Sequence, residues 1–227
     1  MFIGHYGIGF AAKRIGQKAS LGTLFMASQF IDLIWPIFLL LGIERVEIDP
    51  GNTAFTPLDF VYYPFTHSLI GVLFWAVLFG VVYYSIRKNM RGSILLGGLV
   101  LSHWLLDLLT HRPDLALMPG SGYKMGLGLW NSVILSIAVE ALIFVGGAFV
   151  YLKTTRSINR RGKYNFWGLF LFLTVAYILN IFGPPPESTG PIALVGLFQW
   201  LLVVWAYWID RNRTIRKIES GEFTPGR

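Results

Sequence analysis

Residues 92–111 read Gly92-Ser-Ile-Leu-Leu-Gly-Gly-Leu-Val-Leu-Ser102-His103-Trp-Leu-Leu-Asp107-Leu-Leu-Thr110-His111. The run is long and apolar enough to cross the roughly 30 Å hydrocarbon core of a bilayer as a helix, yet two histidines in it bracket an aspartate. Ionisable groups at that depth are costly, so a function must keep them there. Five further apolar runs have comparable length: about 20–43, 65–86, 127–152, 165–183 and 190–209. With 54% hydrophobic and only 14% charged residues and a mean hydropathy of +0.57, the 227-residue chain is an integral membrane protein. A backbone in lipid must satisfy its own hydrogen bonds, and the alternation of a β-barrel is absent from these runs. The predicted fold is therefore all-α: a polytopic membrane helical bundle of about six transmembrane helices, forming one integral membrane domain over residues 1–227.

The earliest of the six runs follows Lys13, Arg14 and Lys18, as a signal peptide would, but it is too long and lacks a small-residue cleavage site. It is expected to stay in the protein. Cysteine is absent, which removes disulfides and thiolate metal ligands. The net charge of +7 is distributed by membrane side. Segments before run one, between two and three, between four and five, and after six hold 3, 3, 5 and 5 of the 19 Lys and Arg. Arg45, Arg112 and Lys124 fall in the alternate loops, together with Glu44, Glu47, Asp49, Asp59, Asp114 and Glu187. By the positive-inside rule both termini are cytoplasmic, with a basic tail over 210–227. The basic stretch from Arg156 to Lys163 is a topology signal beside anionic headgroups, and no nucleic-acid partner is expected.

Breakers mark the turns: Asp49-Pro-Gly-Asn, Arg112-Pro-Asp and Pro184-Pro-Pro. The longest outer connection, about 44–64, contains Pro50, Gly51, Pro57 and Pro64 and could fold over the outer mouth as a lid. No internal repeat is visible, which weighs against many transporter folds.

On a helix, Asp107 lies about 40° around and ~6 Å along from His103, so the two can share one metal ion. His111 lies roughly 80° and ~12 Å from His103, too far for all three to bind one ion from a straight helix. It fits a second ion, a group that orients a ligand, or the headgroup interface. Phe65-Thr66-His67-Ser68 opens the second run on the outer side, which Asp107 and His111 also approach. Gln29 and Asp32 sit mid-way along the first run, about one turn apart, and the fourth run adds Asn131 and Glu140. Asn180 and Gln199 are read as interhelical hydrogen-bonding groups.

Asp32, Asp107 and Glu140 would together cost roughly 8–10 kcal/mol if left charged and unpaired at mid-membrane. No Lys or Arg lies in any of the six runs. A bound metal ion, protonation or a protonated histidine must balance them, and a divalent ion held by His and carboxylate ligands is the simplest answer. Glu140 and Gln29 serve either directly or as groups that orient a ligand or bond a neighbouring helix. His5 lies in Met1-Phe-Ile-Gly-His5-Tyr-Gly-Ile-Gly-Phe, on the cytoplasmic side by charge. That segment either dips into the bundle as a re-entrant helix, bringing His5 near Asp32 and His103, or lies at the interface with His5 idle.

Gly4-His5, an acidic residue late in the first run, Phe65-Thr66-His67-Ser68, and Ser102-His103-Trp-Leu-Leu-Asp107 followed by Thr110-His111 resemble the YdjM-like family of membrane-bound metal-dependent hydrolases. The resemblance covers about residues 1–120; the helices over 127–209 carry no matching motif. It implies His5, Asp32, His67, His103 and Asp107 as metal ligands, a bacterial inner-membrane location, and a distant similarity to zinc-dependent phospholipases C. The chain departs from the family's Pro-Asp-x-Asp-His type stretch: Gln29-Phe-Ile-Asp32-Leu-Ile-Trp-Pro36 has no histidine, so Asp32 is the least secure transfer.

The expected function is a membrane-embedded hydrolase with one or two divalent ions, Zn²⁺ foremost, in which a metal-activated water attacks and Asp107, Asp32 or Glu140 acts as base. Membrane lipid is the expected substrate or environment, as an ester or phosphoester that enters sideways. The alternatives are a transporter or channel for metal ions or protons, and a metal-stabilised scaffold.

Overall fold

The protein is described as a computed structural model over residues 1–216; the part of the basic tail from 217 onward lies outside the described residues. The chain opens with α1 (Ile3–Ala12), then α2 (Leu21–Ser28) and α3 (Phe30–Leu40). The predicted first span is thus broken: α2 and α3 meet at Gln29 with a bend of 56°. Ser20 starts α2 by accepting the Thr23 N–H at 3.2 Å. Pro36 lies inside α3, where it offers no N–H to the carbonyl of Asp32 one turn back.

The outer connection folds as a hairpin, β1 (Arg45–Ile48) paired antiparallel to β2 (Leu58–Tyr62), and leads into the one-turn helix α4 (Pro64–His67). Ser68 interrupts the helix and caps α5 (Leu69–Arg87), accepting from Gly71 N–H at 3.0 Å. Asn89 caps α6 (Met90–Thr110). A short outer hairpin, β3 (Leu115–Ala116) with β4 (Lys124–Met125), precedes α7 (Val133–Thr154). The predicted start near 127 is early by several residues, because Gly128 has φ +73° and a 3₁₀ turn at Leu129–Asn131 intervenes before α7. β5 (Thr155–Ser157), α8 (Arg160–Phe182), α9 (Thr189–Arg211) and β6 (Arg213–Ile215) complete the fold. Helices α5 to α9 are each long and apolar enough to cross a membrane, and the bent α2–α3 pair counts as a sixth span if it crosses as one unit rather than as a re-entrant loop. This is the expected polytopic α-helical bundle.

Basic residues collect at one end. Lys13 Nζ donates to Asp210 Oδ2 at 2.9 Å and to the Ala19 carbonyl at 2.7 Å. Arg213 donates to Thr155 Oγ1, Ser157 Oγ and the Gly162 carbonyl, tying the ends of α7, α8 and α9 together beside the β5–β6 pair. Burial lowers the pKa of this guanidinium from its ordinary value.

From that end α1 climbs into the bundle, so Met1 and His5 are buried among helices. Of the two readings of the N-terminal stretch, the structure has the one that enters the bundle. Small residues make this possible: a Cβ on Gly147 would lie 2.0 Å from the Gly7 carbonyl oxygen, and one on Gly7 2.5 Å from that of Ile143. Backbones of α1 and α7 therefore touch, as in close helix crossings within membranes. Gly147→Leu must push α1 away. It is expected to destabilise the protein by about 3 kcal/mol, the upper end of overpacking costs, read as a lowered Tm in detergent micelles. An unchanged Tm would show that the crossing is not close.

Candidate metal centre

Four ligand-type atoms from three elements converge beneath the outer hairpin. His67 Nε2, at the end of α4, lies 3.5 Å from Asp32 Oδ1 of α3 and 4.0 Å from Asp107 Oδ2 of α6. His103 Nε2, one turn before Asp107 on α6, lies 3.2 Å from Asp107 Oδ2 and 3.6 Å from Asp32 Oδ1. A tetrahedral ion with bonds near 2.1 Å separates its ligands by about 3.4 Å, close to the 3.2, 3.5 and 3.6 Å His–Asp separations here. Asp32, His67 and His103 form one ligand triad, and His5, His103 and Asp107 a second that shares His103. His5 stacks on His103 with ring centroids 3.7 Å apart, and its Nε2 lies 3.1 Å from Asp107 Oδ1. All five predicted ligands are thus brought together. The nitrogen of Met1 also lies 2.6 Å from Asp107 Oδ1.

The far side of each ring fixes what the near side can do. His103 Nδ1 lies 3.0 Å from the Ser28 carbonyl, which can only accept, so the proton is on Nδ1 when the ring is neutral. That carbonyl sits in the last turn of α2, where a helix leaves acceptors without regular partners; the break at Gln29 supplies it. His103 Nε2 is then a lone pair facing carboxylate oxygens, buried and without a hydrogen-bond partner. For His67 the chain of contacts is longer. Glu44 is buried; its Oε1 accepts the N–H groups of Phe65 and Thr66, both at 2.8 Å, and its Oε2 accepts the Thr66 hydroxyl at 2.6 Å. With its proton committed to Glu44, Thr66 Oγ1 accepts from His67 Nδ1 at 2.7 Å. His67 Nε2 is left as a second lone pair aimed at the same point. Lone pairs and carboxylates crowded in this way repel one another unless a cation or proton sits among them, so the residues fit a divalent ion.

A family model for the YdjM inner membrane protein matches residues 5–184. The chain belongs to that family. The YdjM match runs beyond the motif-bearing residues 1–120 to take in α7 and α8, and agrees with an inner-membrane protein. No curated protein and no solved structure matches the chain.

Other candidates in this YdjM-family chain go elsewhere. Glu140 Oε2 accepts the N–H groups of Phe2 (2.9 Å) and Gly4 (3.2 Å), where it satisfies the amino end of α1. Gln29 is fully buried at the α2–α3 break, with no partner for either side-chain polar atom among the described residues. His111 belongs to a separate group: Asp114 Oδ1 lies 3.0 Å from its Nδ1 and 2.6 Å from the Tyr63 hydroxyl, which donates. Burial and then the Asp114 carboxylate push the Tyr63 pKa well up, so the phenol stays a donor. Gln199 accepts the Tyr6 hydroxyl at 3.0 Å and does bridge helices, whereas Asn180 lines a cavity.

That cavity, about 650 Å³, has Asp32, His67, Asp107 and His111 on its wall, and its other surfaces are mainly aromatic and aliphatic. The 44–64 connection roofs it as anticipated: Phe55 N–H donates to the Trp130 carbonyl at 3.0 Å and the two rings stack at 6.2 Å. Arg112 pairs with Asp59 and anchors the hairpin to the end of α6. Glu44, Ser28 and Asp114 were not predicted as parts of the site. Thr66 adjoins His67 within the Thr-His-Ser motif, but Glu44 lies 22 residues away and nothing local links the two.

Proposed function

We propose that this protein is a membrane-embedded metal-dependent hydrolase acting on a lipid-borne ester or phosphoester. The observation that carries the reading is the convergence of Asp32, His67, His103 and Asp107, with His–Asp separations of 3.2 to 4.0 Å, beside an apolar cavity that Asp32, His67 and Asp107 line. A zinc-type ion, when bound, supplies Lewis acidity and a water whose pKa falls toward ~7. His67, His103 and Asp107 are the holding set. His5 steadies the other oxygen of Asp107, an arrangement in which outer partners fix the direction of a ligand.

Asp32 has the most exposed side chain of the group, at 22%. It faces the cavity, where a substrate would lie, and is positioned to orient the attacking water and take its proton. Elsewhere the cavity wall excludes bulk water, which strengthens every charge interaction inside. The family's inner-membrane nature and the placement of the ligands among membrane-length helices, near the outer ends of α4 and α6, support a substrate drawn from the bilayer.

The test pairs metal content with turnover. Purified wild type is expected to hold a divalent metal and to release product from a phospholipid or acyl ester in mixed micelles. Asp32→Asn is expected to keep metal on His67, His103 and Asp107 and to lose roughly 10²–10⁴ in kcat, the usual contribution of a general base. Wild-type turnover in that variant would remove Asp32 as the base. Metal flux into proteoliposomes with no hydrolysis of any ester would replace the hydrolase with a transporter.

A further inference from the structure

We infer that the gap between α8 and α9 is a lateral portal through which one acyl chain of a membrane lipid enters the cavity from the bilayer. Phe172 on α8 and Val195, Phe198 and Leu201 on α9 line the cavity and are also 49%, 67%, 64% and 61% exposed. A residue can do both only where the cavity breaks through to the outer surface. All four belong to helices that cross the membrane, so the surface they open onto is lipid. The opposite route is shut: Phe55, Phe60 and Trp130 line the cavity beneath the outer hairpin and are each less than 10% exposed.

Packing of the two helices explains the opening. At the basic end they are locked: Asn159 Nδ2 donates to Asn212 Oδ1 at 2.9 Å, Arg213 holds the Gly162 carbonyl, and Gly162 abuts the Asn212 carbonyl. Gly168 then packs on Trp205, and the Phe172 and Trp205 rings lie 6.0 Å apart. Outward of that pair, no side-chain hydrogen bond or aromatic contact joins α8 to α9 among the described residues. Ala176 is small and leaves the space between the helices unfilled, while Gly196 lets α9 close on Pro36 of α3 instead. Asn180 lines the same opening and is exposed at membrane depth, and Gln199 keeps its amide donors after accepting from Tyr6. Two carboxamides in an otherwise apolar opening suit ester or phosphate oxygens, whose chain would then lie along the Phe and Leu wall. That the lipid's polar linkage reaches Asp32 rests on the hydrolase reading; entry of the chain does not.

The test is photolabelling of full-length protein in vesicles of phosphatidylethanolamine and phosphatidylglycerol that carry a phosphatidylethanolamine with a diazirine at the end of one acyl chain. Adducts are mapped by mass spectrometry. Trp35, buried on the cavity wall, reports entry; Leu142, lipid-facing on α7 and 75% exposed, reports ordinary bilayer contact. Wild type is expected to be labelled at both. Ala176→Trp, which plugs the gap, is expected to lower Trp35 labelling about tenfold, equivalent to ~1.4 kcal/mol of exclusion, with Leu142 labelling unchanged. Val195→Trp plugs it from the other helix and serves if the first variant fails to fold.

Absence of Trp35 adducts in wild type, or equal Trp35 labelling in both plugged variants, would overturn the portal. Labelling at Trp35 in a protein that hydrolyses nothing would uphold the portal while the hydrolase falls. Undiminished hydrolysis of vesicle lipid by a folded plugged variant would do the reverse.

Discussion

Replacing His103 by alanine is expected to remove the bound metal and hydrolysis together. His103 is the one residue common to both ligand triads, it is fully buried, and its Nε2 lies within 3.6 Å of carboxylate oxygens from two different helices. Without it, His67 remains 3.5 Å from Asp32 and 4.0 Å from Asp107, with no nitrogen to close the site from the α6 side. Elemental analysis of the purified variant should find metal at less than about a tenth of the wild-type ratio, a loss equivalent to ~1.4 kcal/mol or more of binding. The ring also packs on His5, so part of any fall in stability belongs to lost packing. Chelation of the wild type separates the two effects. Metal present at ~1,000 times its Kd stabilises the folded state by about 4 kcal/mol, and that share of Tm should disappear on chelation and return with metal. His111→Ala, in the neighbouring Asp114 group, should keep its metal. A His103→Ala protein with full metal content would end the proposed centre.

Replacing Glu44 by glutamine is expected to weaken metal binding about 10- to 100-fold without touching a ligand. Glu44 accepts three hydrogen bonds, two from backbone and one from Thr66, and the last decides the tautomer of His67. A glutamine amide can donate where the carboxylate only accepted. Thr66 can then turn its proton toward His67 Nδ1, which drives the ring proton onto Nε2, the atom that faces Asp32 and Asp107. Competition titration against a zinc-sensitive dye measures the change. Thr66→Val should produce a similar loss, and the double variant little more, because both act through one chain of bonds. Unaltered affinity in Glu44→Gln would mean that His67 selects its tautomer by itself.

The bundle was legible because its signal is local and large. A run such as 69–87 or 133–154 has no alternative in lipid to a helix, and the alternation of basic loops sets its direction. Boundaries were less legible where a side chain or a glycine decides them: Ser68 splits α4 from α5, and Gly128 delays α7. In the site, helical spacing alone put His103 beside Asp107, and the two lie 3.2 Å apart. Asp32 was doubted for want of a neighbouring histidine, yet it lies within 3.6 Å of two of them, supplied by other helices. Glu140 was weighed as a base, but in the fold its carboxylate serves two backbone amides of α1.

By itself, then, the sequence determined the membrane, the apolar helices that cross it and the closeness of His103 to Asp107 on α6, because these depend on hydrophobic length and the helical period. The tertiary structure decided the rest: that His5 reaches the site, that Glu44 governs His67, and that a cavity opens between α8 and α9. Each of these depends on contacts between residues far apart in the chain. The first needs the Gly7–Gly147 crossing, in which two absent side chains allow α1 to sink against α7 and carry an imidazole to the centre of the bundle.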